Sequence, residues 1–187
     1  RSHCGPVLFG DPTDPLVAAW TFDDRMGVVT LLRLLKTLAE ERRRPHCPAL
    51  VAFTVQEEVG GMGAKVLAQR ERPDVFIAID GCPITPGAPL ELDGRPGVWT
   101  RDRVAPYDPR LIADLCAAAN AVGAALQPVA YDVSASDASM VFEVGAAQRI
   151  ACFGQVRENS HGYEVARLAV FDNMLRTLLY FAEHWEG

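Results

Sequence analysis

Histidine is scarce in this chain, at four residues, and cysteine is sparse and scattered: Cys4, Cys47, Cys82, Cys116 and Cys152. No CxxC pair exists, which argues against a thiolate zinc site and reads as reduced, mostly buried thiols of a cytoplasmic protein. No apolar stretch approaches the roughly 18 residues that a membrane-spanning helix needs, and the sequence carries no signal-peptide pattern. Basic residues are outnumbered, 18 Lys and Arg against 24 Asp and Glu, for a net charge of −6. That balance disfavours a nucleic-acid backbone as partner. There is no internal repeat, no low-complexity tract and no internal linker. What is present is 187 residues, 49% apolar and 22% charged. Such a chain makes one globular domain, here residues 1–187, with a proper core.

Strand-like and helix-like segments alternate along it. Residues 1–15, with Gly5, Pro6, Gly10, Pro12 and Pro15, read as irregular. Leu16 to Thr21 is a short strand. Met26 to Leu38 carries apolar residues at helical spacing (Val28, Leu31, Leu32, Leu35, Leu38), with Asp23 or Asp24 as amino-terminal cap and Pro45 beyond its end. The continuous apolar run Ala49 to Val55 suits a strand buried on both faces. Gly60, Gly61 and Gly63 separate it from a short helix over Ala64 to Arg70, and Val75 to Asp80 is the next buried strand. Pro83 to Pro96 is a surface loop and Gly97 to Thr100 an edge strand. Pro109 to Ala125 is helical, and Pro128 to Tyr131 is a strand. Asp137 to Val144 is a short helix capped by Ser134 or Ser136. Arg149 to Phe153 is a buried strand, and Val170 to Trp185 is a long closing helix. The class that follows is α/β with a mainly parallel central sheet.

Four polar sites each follow an apolar run: Asp23-Asp24 after Leu16 to Phe22, Glu57-Glu58 after Ala49 to Val55, Asp80 after Val75 to Ile79, and His161 after Ile150 to Phe153. Buried strands end in water at their tips, and open α/β sheets place ligand sites outside the carboxyl ends of their strands. Four tips that each offer an oxygen or nitrogen predict one metal cluster assembled from distant sequence. Asp23, Glu58, Asp80 and His161 suit zinc, cobalt or manganese. Carboxylates can bridge two ions about 3.5–4 Å apart that clamp the attacking and leaving oxygens of a hydrolysis. Adjacent acids, as in Glu57-Glu58, suit a division of labour. One ligates, and the other carries a proton from an acidified water to a leaving amine. Singly, each residue has a plainer reading: a helix cap, a solvated strand end, a turn before Gly81, a loop histidine. Their joint placement at strand ends favours the metal. His3, His46 and His184 lack that context and receive no role.

These residues resemble a known family, the M42 glutamyl aminopeptidase group of dinuclear metallopeptidases, which includes the tetrahedral aminopeptidases. The matching segments are Phe22-Asp23-Asp24-Arg25-Met26-Gly27, Val55-Gln56-Glu57-Glu58-Val59-Gly60-Gly61-Met62-Gly63-Ala64, Ala78-Ile79-Asp80, Ser136-Asp137-Ala138, and Arg157-Glu158-Asn159-Ser160-His161-Gly162-Tyr163-Glu164. They run from about residue 20 to the end. The resemblance implies a three-layer α/β/α, zinc-dependent exopeptidase-like fold. It implies two divalent ions, zinc or cobalt first and manganese after them. Asp23 would bridge the ions, Glu58 would ligate one and Asp80 the other, and His161 would be the last ligand. Glu57 would be the general base, and Ser136 and Asp137 would lie near the substrate's amino group. A peptide substrate and a homo-oligomer follow in the same way. Two family features have no recognisable counterpart here: a further histidine ligand on an early strand, and an inserted PDZ-like domain that helps form the dodecameric cage. Three accounts of the missing histidine stay open: an upstream segment supplies it, His3 substitutes for it, or one metal site is crippled. The first is the simplest for a sequence that starts at Arg1. The order of residues around His161 marks a divergent member.

The expected function is hydrolysis of amino-terminal peptide bonds by a metal-dependent aminopeptidase, with hydroxide formed on the metal and Glu57 as base. Two alternatives stand beside it. One is a non-catalytic relative acting as an interaction or regulatory subunit. The other is a deacylase or carboxypeptidase of the same clan, separable because only an aminopeptidase demands a free α-amine.

Overall fold

A computed structural model describes residues 5–187, so His3 and Cys4 lie outside the described residues. The chain opens on a hairpin, β1 (Val7–Asp11) and β2 (Asp14–Trp20), where residues 1–15 were expected to be irregular. Of the residues that suggested irregularity, Gly10, Pro12 and Pro15 sit in or beside the turn, and Gly5 and Pro6 precede β1. There the Thr13 N–H and hydroxyl both donate to Asp11 Oδ1 at 2.8 Å. Next comes α1 (Phe22–Glu40). Asp23 and Asp24 leave helical geometry, and the peptide bond between them is cis. Asp24 Oδ1 accepts the Gly27 N–H at 3.2 Å and so caps the regular part of the helix.

The run Ala49 to Val55 corrects another expectation. It joins no ladder, and Leu50, Phe53 and Val55 stand exposed. Strand-favouring side chains are insufficient without a paired edge and a covered face, and among the described residues no strand pairs with this run. A 3₁₀ turn (Glu57–Val59) leads from it into α2 (Met62–Glu71). Then follow β3 (Val75–Ile79), β4 (Cys82–Pro83), β5 (Gly97–Arg101), α3 (Pro109–Ala121) and β6 (Gln127–Ala130). The chain closes with α4 (Asp137–Glu143), β7 (Arg149–Gly154), β8 (Val156–Glu158), β9 (Tyr163–Arg167) and α5 (Ala169–His184).

Two sheets result, with strand orders β3-β7-β5-β6 and β1-β2-β9-β8-β4. Parallel pairs are β3–β7, β5–β6 and β4–β8. The remaining pairs are antiparallel, including β5–β7, so β5 lies inside its sheet and not at the expected edge. The sheets are joined twice, because β3 runs on to β4 and β7 runs on to β8. The ladder continues across the join: Asp80 N–H donates to the Phe153 carbonyl (3.2 Å) and Cys82 N–H to the Gln155 carbonyl (2.7 Å). Gly154 permits this approach, since a Cβ there would fall 1.8 Å from the Asp80 carbonyl oxygen.

Successive strand residues face opposite sides of a sheet, and β7 shows where the two cores lie. Ala151 and Phe153 pack into a cluster with α1, α3 and α5, while Ile150 and Cys152 pack into a second with α2 and α4. Helices therefore cover both faces of the four-stranded sheet, giving α/β/α layering. Among the described residues no helix is long and apolar enough to cross a membrane.

Candidate metal centre

Three of the expected ligands converge. Oxygen or nitrogen atoms of Asp23, Glu58 and His161 all lie within 4.8 Å of one another. His161 Nε2 is 3.2 Å from Asp23 Oδ2 and 3.6 Å from Glu58 Oε2. Asp23 comes from the start of α1, directly beyond β2, and is almost buried. Glu58 comes from the 3₁₀ turn before α2. His161 was expected just beyond the strand Ile150 to Phe153. Instead β8 intervenes, and His161 sits in the left-handed turn between β8 and β9, at φ 63°. Glu58 and His161 are exposed, so the cluster opens to solvent.

Asp80, at the end of β3, is outside that trio but shares its field. Burial raises its pKa well above the usual carboxylate range, and the charges of Asp23, Asp24 and Glu57 push it further. Asp24 is pushed up to about 8 by burial and by Asp23, although Gln155 holds it by a hydrogen bond. Glu57 is pushed up to about 7 by burial and by Asp137, Glu58 and Asp23. Among the described residues Arg157 is the one fully buried cation of the chain. It contacts Asp23 and Glu164, and at Asp24 and Asp80 its charge only partly offsets burial and the neighbouring acids. Buried carboxylates without partners are costly. A donor set of carboxylate oxygens and one imidazole is what a divalent ion such as zinc, cobalt or manganese takes. The residues present therefore fit a metal.

Asp137 lies on the same side. Its Oδ2 accepts the Thr54 hydroxyl at 2.6 Å, while its Oδ1 is buried without a partner. Ser136, which the resemblance puts near a substrate's amino group, immediately precedes Asp137 at the start of α4. It is completely buried, its hydroxyl bonds the Tyr107 hydroxyl (2.8 Å), and its Oγ accepts the Ala138 N–H as the cap of α4. Its N–H donates to the buried Asp102 carboxylate at 3.2 Å. Ser136 thus holds the start of α4, and with it Asp137, and its hydroxyl is not free to meet a ligand.

Sequence reasoning gave no role to Arg157 or Glu164, and to Asp24 only that of a helix cap. The signal for the first two was faint: each sits beside apolar residues (Val156; Val165 and Ala166) on a short strand that also carries a second charge, Glu158 or Arg167. A buried charge in such a strand needs a partner.

The family model for M42 glutamyl aminopeptidase matches residues 10–176. The glutamyl aminopeptidase of Lactococcus lactis subsp. cremoris is 40% identical over 77 residues, 41% of this chain and 21% of that protein. The TET1 peptidase of Pyrococcus horikoshii superposes with a TM-score of 0.78 at 25% identity, covering 96% of this chain and 53% of that one. The TET aminopeptidase of the marine sediment archaeon Thaumarchaeota archaeon SCGC AB-539-E09 shares the fold at a TM-score of 0.86 and 19% identity, over 96% of this chain and 52% of that one. The chain spans about half the length of these solved relatives. It belongs to the M42 glutamyl aminopeptidase family.

Proposed function

We propose that residues 1–187 form one catalytic-type domain of a metal-dependent aminopeptidase that takes peptides with a free amino terminus. The convergence of Asp23, Glu58 and His161 carries this reading, and family membership supports it. Asp23, Glu58, Asp80 and His161 would hold two divalent ions, zinc or cobalt first. When bound, such ions polarise the scissile carbonyl and acidify the attacking water. Glu57, beside Glu58 and with its carboxyl pushed up to about 7, has the proton affinity of a base at neutral pH. It takes the proton from the water and passes it to the leaving amine. Asp137 contributes negative charge next to Glu57, where an α-ammonium group offsets it. The reading includes a cytoplasmic location and self-assembly, the latter after the TET1 peptidase, which assembles into a tetrahedron or a large octahedral shell.

Chelation followed by an assay on aminoacyl-anilides tests it. Activity should vanish with chelator and return with zinc, cobalt or manganese. Glu57→Gln should lower kcat by about 10²–10⁴-fold at unchanged metal content. Undiminished turnover in that variant refutes the assignment of Glu57 as base. Hydrolysis of amino-blocked substrates would instead favour a deacylase.

A further inference from the structure

Two buried charges next to the centre remain without a role in the chemistry above. Arg157 is 2% exposed and Glu164 fully buried, and they sit on the adjacent strands β8 and β9. Arg157 Nε donates to Glu164 Oε1 at 2.6 Å. The second oxygen, Glu164 Oε2, accepts the main-chain N–H of Asp23 at 3.0 Å. Arg157 Nη2 donates to Asp23 Oδ2 and also to the Ser160 hydroxyl, the latter at 3.2 Å. The remaining nitrogen, Nη1, is buried without a partner and is wedged against Gly81, where a Cβ would fall 1.4 Å from it. Gly81 is the residue after Asp80, and its own N–H donates to Asp80 Oδ1 at 2.6 Å.

We propose that Arg157 and Glu164 form a clamp that sets the orientation of Asp23 as a shared metal ligand: Glu164 fixes its main chain and Arg157 its carboxylate. The proposal rests on the metal-dependent reading above, and it makes both residues positioning residues. Three features support it. The ring Asp23–Arg157–Glu164–Asp23 closes on one residue through both its backbone and its side chain, which an ion pair serving packing alone would not require. The fork of Arg157 binds two different carboxylates at once, a geometry that a lysine cannot reproduce. The tip of the same guanidinium abuts the backbone beside Asp80, so one buried group touches the surroundings of two expected ligands. Groups that orient metal ligands from behind commonly change metal affinity by 10–100-fold when removed.

The test is titration of metal-free protein with Co²⁺, read by calorimetry and by the visible absorption of the bound ion. Glu164→Gln keeps the shape of the side chain and removes the charge that holds Arg157. Arg157→Lys keeps the charge and removes the fork. Both should weaken Co²⁺ binding by about 10–100-fold and alter the absorption band. Leu115→Ala, a fully buried change on α3, controls for loss of stability alone. It should lower the melting temperature without moving Co²⁺ affinity or the spectrum. If Glu164→Gln fails to fold, Arg157→Lys carries the decision. Wild-type affinity and spectrum in the folded variants overturn the clamp while leaving the metal reading intact. A wild-type chain that takes up no Co²⁺ overturns the metal reading, and the clamp with it.

Discussion

At the scale of single residues, the acids around the centre store protons. Asp24 and Glu57 are pushed up to about 8 and about 7, and Asp80 is raised as well, chiefly by burial. Unfolded, the same carboxyls titrate near 4. Between those limits the folded, metal-free chain binds more protons than the unfolded one, so its stability falls as pH rises. The urea midpoint of protein kept in chelator should therefore be higher at pH 5.5 than at pH 8.5, and saturating zinc should reverse the order, because metal competes with protons for these groups. A midpoint that climbs with pH in chelator contradicts this account. Much of this cluster was legible in the sequence. Asp23, Glu58, Asp80 and His161 stood out because each followed an apolar run. Arg157 and Glu164 did not, because a buried ion pair needs knowledge of which strands lie side by side. Ser136 was legible as a cap of α4, which it is, and its place near a substrate came from the resemblance alone.

At the scale of elements, α3 shows how firmly a local signal can specify a boundary. Asp108 caps it, accepting the N–H groups of Arg110 (2.8 Å) and Leu111 (3.0 Å), with Pro109 in the first turn and Arg149 Nε at 3.1 Å. Burial opposes the charge on Asp108. The Leu111 N–H, Arg149 and the Arg110 N–H outweigh it and hold the carboxyl below its usual range. Asp108→Ala should cost about 0.5–2 kcal/mol at neutral pH. A lowered carboxyl contributes stability above its unfolded pKa and loses it as pH falls through the folded value. The gap between wild type and variant should narrow in acid, as paired urea titrations at pH 7 and pH 3 would show. The five helices were legible for the same reason: periodicity and caps act within a few residues. Strands were less so. β2 answers to the strand expected over Leu16 to Thr21, whereas β1 and its turn hid behind Gly10, Pro12 and Pro15, which mark a turn as readily as a loop. The short β8 and β9 carry charges that mask their burial. Ala49 to Val55 has strand composition, but pairing is non-local and composition does not supply it.

At the scale of the whole molecule, the centre is drawn from both sheets. Asp23 at the start of α1 and His161 in the β8–β9 turn border the five-stranded sheet, whereas Asp80 follows β3 of the four-stranded one and Glu58 stands in the 3₁₀ turn before α2. The expectation of α/β/α layers holds, and in the five-stranded sheet the β2–β9 ladder, with Trp20 opposite Tyr163, brings positions 23 and 161 into reach of each other. We expect contacts so remote along the chain to form late in folding, since closing long loops is entropically costly before they are made. Interactions missing from the transition state slow unfolding and leave the folding rate almost unchanged. Manual-mixing experiments with zinc present should thus show a retarded unfolding limb and an unaltered refolding limb. A refolding rate that accelerates with zinc would mean that the remote turns meet early. For a cell, a late-forming rivet of this kind governs how long each folded copy survives, not how quickly a new one is made.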